Sequence, residues 1–415
     1  MKLDKEILSA LADKFGDAFY ILDIEKLILN FRELKGAFSR YYPNFDIAYS
    51  YKTNYTPAIC REIERLGGYA EVVSEMEYEL AKRIGVAPGR IILNGPVKSR
   101  AAVCELLLSG GQVNIESENE LEILERVCAG HRKKKLRVGI RCNYDISDGV
   151  ISRFGIDTGS PEFERVLRYI KKEDCLTLSG LHCHFAQRNM KAWKNRVSGM
   201  LELIRGLELE KIESIDFGGG LYGKMGDSLK EQFPDPIPCF EEYAEAVAGP
   251  LSEYYRDDDE PPKLLVEPGS AIVGDVMSFA ARVTGIKTVR GKPIATLNGS
   301  VYNINPTLNG KNLPFAVYHQ NPGPHRIYKD IDLCGYTCVE NDRLFRGYSG
   351  ELDVGDWVIF ENVGSYSVVM KPPFIFPNVP IIRYDGRSGG TELVKSAETF
   401  DDIFRTYSFD EICEV

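Results

Sequence analysis

From residue 45 to residue 267, short apolar runs alternate with longer stretches in which apolar residues return every three or four positions. The runs are DIAYSYK (46–52), YAEVV (69–73), RIILN (90–94), QVNIES (112–117), LRVGIRC (136–142), LSGLHCH (178–184), ESIDFGGG (213–220) and KLLVEP (263–268). Their length and β-branched content are those of buried strands. Between them Met76–Ile84, Glu118–Cys128 and Pro161–Lys171 carry helical spacing. Eight such repeats predict a (β/α)8 barrel over residues 24–271. An open, doubly wound sheet has the same alternation and stands as the alternative.

After about residue 271 the pattern changes. VMSFAARVTGIKTV (276–289), KPIATLNGSV (292–301), DWVIFENV (356–363) and VVMKPPFIF (368–376) read as strands between Gly and Pro turns. They predict an all-β domain over 272–415. The charged, proline-containing RDDDEPPK (256–263) reads as a solvated loop before the last barrel strand. At 415 residues the chain exceeds the size at which one core usually divides, which agrees with two domains.

Composition narrows the function by exclusion. A net charge of −10 argues against nucleic acid or an anionic membrane as the main partner. The opening MKLDKEILSALADKFGD alternates apolar and charged residues at helical spacing, without the apolar core of a signal peptide. No later segment gives 18 apolar residues in succession, so neither a leader nor a membrane span is expected. Ten cysteines are scattered from Cys60 to Cys413, with no CxxC pair and no histidine at zinc spacing. Reduced thiols in a cytoplasmic enzyme are expected, rather than a disulfide framework or structural zinc.

In a barrel, reactive groups sit at the C-terminal ends of the strands. Those ends read Lys52, Glu71, Asn94, Glu116, Arg141, His184, Gly218–Gly220 and Glu267. Each has a task if pyridoxal 5'-phosphate is bound. A partly desolvated Lys52 can form a Schiff base, although a solvated lysine capping the strand has the same sequence. Gly218, Gly219 and Gly220 let backbone N–H groups approach a phosphate, as late barrel loops do; a tight turn also uses such a run. Glu267 can hold a pyridine nitrogen protonated, or be an ordinary turn residue before Pro268. His184 can stack on the ring or move a proton. Two-residue alternation puts His182 on the same strand face as His184, so a metal pair is the alternative, but no acidic third ligand is evident nearby.

In their order along the chain, AFYILD, AYSYKTN, GGYAEVVSEMEYELAKRIGV, VNIESENELE, SRFGI, GLHCH, DFGGG, VEPG, CGYTCVENDRL and ENVGSYS resemble the fold-type III pyridoxal-phosphate decarboxylases. These include the diaminopimelate, ornithine/arginine and carboxynorspermidine enzymes. The resemblance runs through nearly the whole chain. It implies an alanine-racemase-like barrel followed by a C-terminal β-sheet domain that takes in the AFYILD strand from residues 1–23. A helix over Glu25–Ser39 would lead into the barrel. It further implies Lys52 as the Schiff-base lysine, His184 on the ring, Gly218–Gly220 and Tyr366 on the phosphate, and Glu267 at the pyridine nitrogen. The active site would be shared across a homodimer, with Cys338 of the second subunit as the proton donor to the product. Arg188, Glu340 and Asp342 are the candidate contacts to an amino-acid substrate.

Departures from the family pattern fall on phosphate and substrate contacts. Ser270 stands where EPGR enzymes have arginine, Ala186 and Gln187 replace a Gly-Ser pair, and Val339 replaces the acidic residue after the cysteine, with Glu340 one place on. Decarboxylation of an unusual substrate is therefore expected: a diaminopimelate- or ornithine-like amino acid, or a conjugated one from siderophore or other secondary metabolism. An amino-acid racemase and a non-catalytic regulatory homologue are the alternatives.

Overall fold

The computed structural model describes residues 4–207, 211–385 and 390–409. The chain divides into two compact units. One is Leu27–Lys224 with Pro234–Val273; the other is Met1–Lys26, Met225–Phe233 and Gly274–Val415.

The first unit is built on eight parallel strands: Phe45–Ser50, Tyr69–Val72, Ile91–Leu93, Gln112–Ile115, Leu136–Asn143, Leu176–His182, Ser214–Asp216 and Lys263–Val266. Each pairs with the next, and the eighth returns to the first through Leu264↔Phe45 to Val266↔Ile47. Closure excludes the open sheet, which would leave two edges. The connecting helices start where the sequence offers caps. Ser74, Ser99 and Ser160 accept from the backbone N–H groups of Glu77, Ala102 and Phe163, and open Glu75–Ile84, Arg100–Ser109 and Pro161–Lys172. The strands end two to four residues earlier than most of the apolar runs, so Lys52, His184 and the glycines lie just beyond strand ends, in loops.

The barrel interior holds polar side chains, and the wall makes room for them. A β-carbon on Gly139 would stand 1.9 Å from Asn114 Oδ1, so the fifth strand passes Asn114 only as glycine.

At the opposite end from the loops that carry Lys52, Cys128 in the last turn of Leu121–Gly130 is disulfide-bonded to Cys175, just before the sixth strand. This corrects the expectation of reduced thiols throughout. The partners are 47 residues apart and meet because a helix end and a strand start share one face of the barrel. The other described cysteines are free, and Cys413 lies outside the described residues.

In the second unit Ala18–Leu22 pairs antiparallel with Met277–Val289 and parallel with Ile381–Tyr384. Lys292–Leu297, Ile327–Cys334 and Arg343–Glu351 extend one side and Thr391–Lys395 the other, while Trp357–Phe360 links Met277–Val289 to Phe315–Tyr318. The amphipathic helix Lys5–Phe15 lays Leu8 and Leu11 on a core of Phe19, Ile21, Trp357, Ile359 and Ile382. VVMKPPFIF is not a strand. Ser367–Met370 is helical, and Pro372 and Pro373 carry no N–H to donate to a ladder, leaving one bridge between Phe374 and Phe376. No described helix is long and apolar enough to cross a membrane.

Candidate active site

Lys52 follows the first strand in the short 3-10 turn Tyr51–Thr53. Its amine is ion-paired to Glu71 at the end of the second strand, and its Nζ lies 3.4 Å from Ser50 Oγ. The Glu71 carboxylate is fully buried, whereas Lys52 is partly open. The amine thus sits where an aldehyde can reach it, held by a carboxylate rather than free in solvent.

Behind this pair runs a string of amides. Asn94 Nδ2 donates to Glu71 Oε1 at 3.0 Å and to Glu267 Oε1 at 2.5 Å. Asn114 Nδ2 donates to Asn94 Oδ1 at 2.8 Å, and Gln112 Nε2 to Asn114 Oδ1 at 3.0 Å. An ionised carboxylate only accepts, so Asn94 must turn its amino group upward. That choice dictates the next amide, and then the next.

Glu267 follows the eighth strand. Its Oε2 lies 3.3 Å from His182 Nε2, and a carboxylate oxygen of Asp216 lies within 4.8 Å of this pair. Burial pushes the Glu267 carboxyl up, but His182 and then Lys52 override this and hold it well below the carboxylate range. Burial and the Glu267 charge push Asp216 well above it. Two buried carboxyls thereby divide one proton: Glu267 is the anion and Asp216 the acid. Asp216 Oδ1 accepts from Gly218 N–H at 2.8 Å. The sequence showed no acidic ligand near the histidine pair, whereas the structure gathers Glu267 and Asp216 around His182 rather than His184.

His184 is neutral, since burial and the nearby Arg196 push its imidazole well below the usual range. Its Nδ1 accepts from Gly219 N–H at 3.0 Å, which puts its proton on Nε2. The first two glycines have no space for side chains: a β-carbon on Gly218 would meet Cys183 O at 2.6 Å, and one on Gly219 would meet Glu267 O at 2.5 Å, while Gly220 takes φ 98°. Arg196, from helix Met190–Leu207, lies buried beneath this run. It was not foreseen from the sequence, and neither was Asp216. Glu116 and Arg141 pair with each other at 3.1 Å, and Glu116 also accepts from Gly155 N–H, so they brace the SRFGI turn.

Arg188 is half-buried in the loop after the sixth strand, with its guanidinium carbon 5.4 Å from the centre of the Tyr222 ring. No carboxylate pairs with it among the described residues. Its carbonyl accepts from Tyr243 OH at 2.8 Å.

In the second unit, Cys338 is exposed on the turn between Ile327–Cys334 and Arg343–Glu351. Glu340 on the same turn is fully exposed and lies 3.8 Å from Arg343. Asp342, the third candidate substrate contact, anchors the turn. Its buried carboxylate accepts from Ser300 Oγ, Val301 N, Thr337 N and Thr337 Oγ1 at 2.6–3.1 Å, which fills its acceptor positions. Tyr366 has φ 63°, a left-handed conformation costly for an aromatic residue and frequent at functional sites.

The first unit therefore joins a reachable amine, an anionic carboxylate, a neutral imidazole and a side-chain-free amide run. That donor set fits pyridoxal phosphate, an aldehyde with a basic ring nitrogen and a phosphate. The pyridoxal-binding domain of the pyridoxal-dependent decarboxylases matches residues 27–274. The chain is 28% identical over 422 residues to diaminopimelate decarboxylase of Methanothermobacter thermautotrophicus, covering 95% of this chain and 92% of that one. It is 25% identical over 417 residues to the Aquifex aeolicus diaminopimelate decarboxylase, covering 95% and 93%. The crystal structure of diaminopimelate decarboxylase from M. jannaschii superposes with a TM-score of 0.85 over 97% of this chain and 94% of that one, at 22% identity.

Proposed function

This chain belongs to the pyridoxal-dependent decarboxylases, and from that premise we propose that it removes the α-carboxyl of an amino acid with an anionic group at its far end. A conjugated amino acid from siderophore or other specialised biosynthesis has that form. Lys52 would hold the cofactor covalently through its amine, Gly218–Gly220 and Tyr366 its phosphate, and Glu267 its ring nitrogen, with His184 against the ring. When bound, pyridoxal phosphate supplies the electron sink that accepts the pair left by the broken carbon–carbon bond.

The chain's own groups set the conditions for that step. Glu71 fixes the Lys52 amine at the mouth of the barrel. Glu267 keeps its negative charge because His182 and Lys52 lie beside it, and burial together with that charge pushes the Asp216 carboxyl up. Neutral His184 can lie against a ring without adding charge, its tautomer set by Gly219. Cys338, exposed on its turn, is assigned as proton donor in the site of a second copy, which makes the working unit a homodimer.

The observation that carries the substrate class is Arg188: a half-buried guanidinium in the loop after the sixth strand, with no carboxylate of its own. Such a group binds a carboxylate bidentately. Carbon dioxide release is measured for ornithine, lysine, diaminopimelate and larger acidic conjugates, with wild type and Arg188→Ala. The conjugates should lead, and Arg188→Ala should raise their KM with little loss of kcat, the mark of lost uniform binding. A preference for ornithine or lysine that Arg188→Ala leaves alone sinks the substrate assignment.

A further inference from the structure

Arg196 is fully buried, and no carboxylate pairs with it among the described residues. Its guanidinium carbon lies 3.9 Å from the Trp193 ring centre and 5.7 Å from that of Phe185. Its hydrogen bonds all go to backbone carbonyls of two loops. Nη1 donates to Phe217 O and Gly219 O, both at 2.9 Å; Nη2 donates to Phe185 O at 3.0 Å and Gln187 O at 3.2 Å. Trp193, one helical turn earlier, adds Nε1 to Gly220 O at 3.3 Å.

In a trans peptide the C=O and the following N–H point opposite ways. Carbonyls drawn toward Arg196 therefore turn the N–H groups of Ala186, Arg188, Gly218 and Gly220 away from it. Gly218 N–H is used by Asp216. Those of Ala186, Arg188 and Gly220 have no acceptor among the described residues. Three free donors over a buried cation form a cradle for an anion. The charge argument points the same way, since a buried cation without a counter-ion is costly until an anion arrives. It also accounts for the loss of arginine at Ser270: the positive charge that supports a phosphate comes here from beneath the glycine loop.

We propose that Arg196 is the positioning residue of the phosphate site, holding the loops after the sixth and seventh barrel strands by their carbonyls so that their amides converge on the cofactor's phosphate. The inference rests on the pyridoxal-phosphate reading and adds to it a residue that touches neither cofactor nor substrate.

The test separates the phosphate from the aldehyde. Apo-protein is titrated with pyridoxal phosphate and with pyridoxal, which lacks the phosphate, following the absorbance of the Lys52 adduct. Wild type should prefer the phosphorylated form. Arg196→Met should lose about 10-fold or more of that preference while pyridoxal affinity stays within about 2-fold, the size expected for one charge-assisted contact set. Arg196→Lys, which keeps charge but loses the fork, should fall between; if Arg196→Met does not fold, Arg196→Lys carries the test. A variant that folds and keeps the whole wild-type preference overturns the role of Arg196 alone. A wild type that forms no adduct with either aldehyde sinks the cofactor reading, and the inference with it.

Discussion

Asp216 and Glu267 are both buried acids beside His182, yet the charge assignment predicts unequal consequences for amide substitution. Asp216→Asn replaces a protonated acid by its near-isostere. The amide oxygen can still accept from Gly218 N–H, and the amide is uncharged like the acid it replaces. The cost should be about 1 kcal/mol or less, under about 10-fold in kcat. Glu267→Gln is different. Asn94 and His182 both face this carboxylate as donors, and the new amino group must face one of them. A buried donor left unmet costs about 1–3 kcal/mol, and the lost charge removes an electrostatic contribution of about 3–4 kcal/mol to turnover. A fall in kcat of about 100-fold to 1000-fold is expected, with cofactor retained. Steady-state carbon dioxide release and the visible absorbance of each purified variant decide the matter. Equal losses in the two variants would refute the division of the proton, and near-normal kcat in Glu267→Gln would refute the role of its charge.

Other perturbations follow from the same structure. Burial pushes the Glu77 carboxyl up to about 7, so the folded state holds its proton longer than the unfolded chain does; stability is lost as pH rises from about 4.5 through 7. Glu77→Gln should therefore raise stability by up to about 3 kcal/mol above pH ~7 and flatten the acid-side slope, and equal urea midpoints for variant and wild type at pH ~8 would contradict it. Cys128→Ser opens a 47-residue link and should cost up to about 4 kcal/mol against the oxidised protein; no difference in melts without reductant would show the bond to be idle. Lys52→Ala mixed with Cys338→Ala should regain part of the activity through heterodimers with one intact site. Subunit exchange without recovered activity would remove Cys338 from a shared site.

The barrel was legible because its strands are buried on both faces and read as unbroken apolar runs. The positions of Lys52, Glu267 and the glycines just beyond strand ends were legible because the apolar runs that precede them end there. Asp216 was hidden in plain view within ESIDFGGG: its direction is set by neighbouring strands, which local sequence does not contain. Arg196 had no signal at all, since a helical arginine one turn after a tryptophan looks like any amphipathic surface. The strands Ile327–Cys334 and Arg343–Glu351 went unread because half-exposed alternation leaves few apolar positions in each. In VVMKPPFIF hydrophobicity suggested a strand that backbone chemistry forbids.

The string from Gln112 through Asn114 and Asn94 to Glu71 and Glu267 divides the molecule by mutational freedom. Its members cannot drift singly: reversing one amide sets oxygen against oxygen at the next, and Gly139 must stay small to let the string pass. Arg188 and Glu340 belong to loops under no such rule. A substitution inside the string therefore needs a matching one beside it, whereas the loop that carries Arg188 can change by itself.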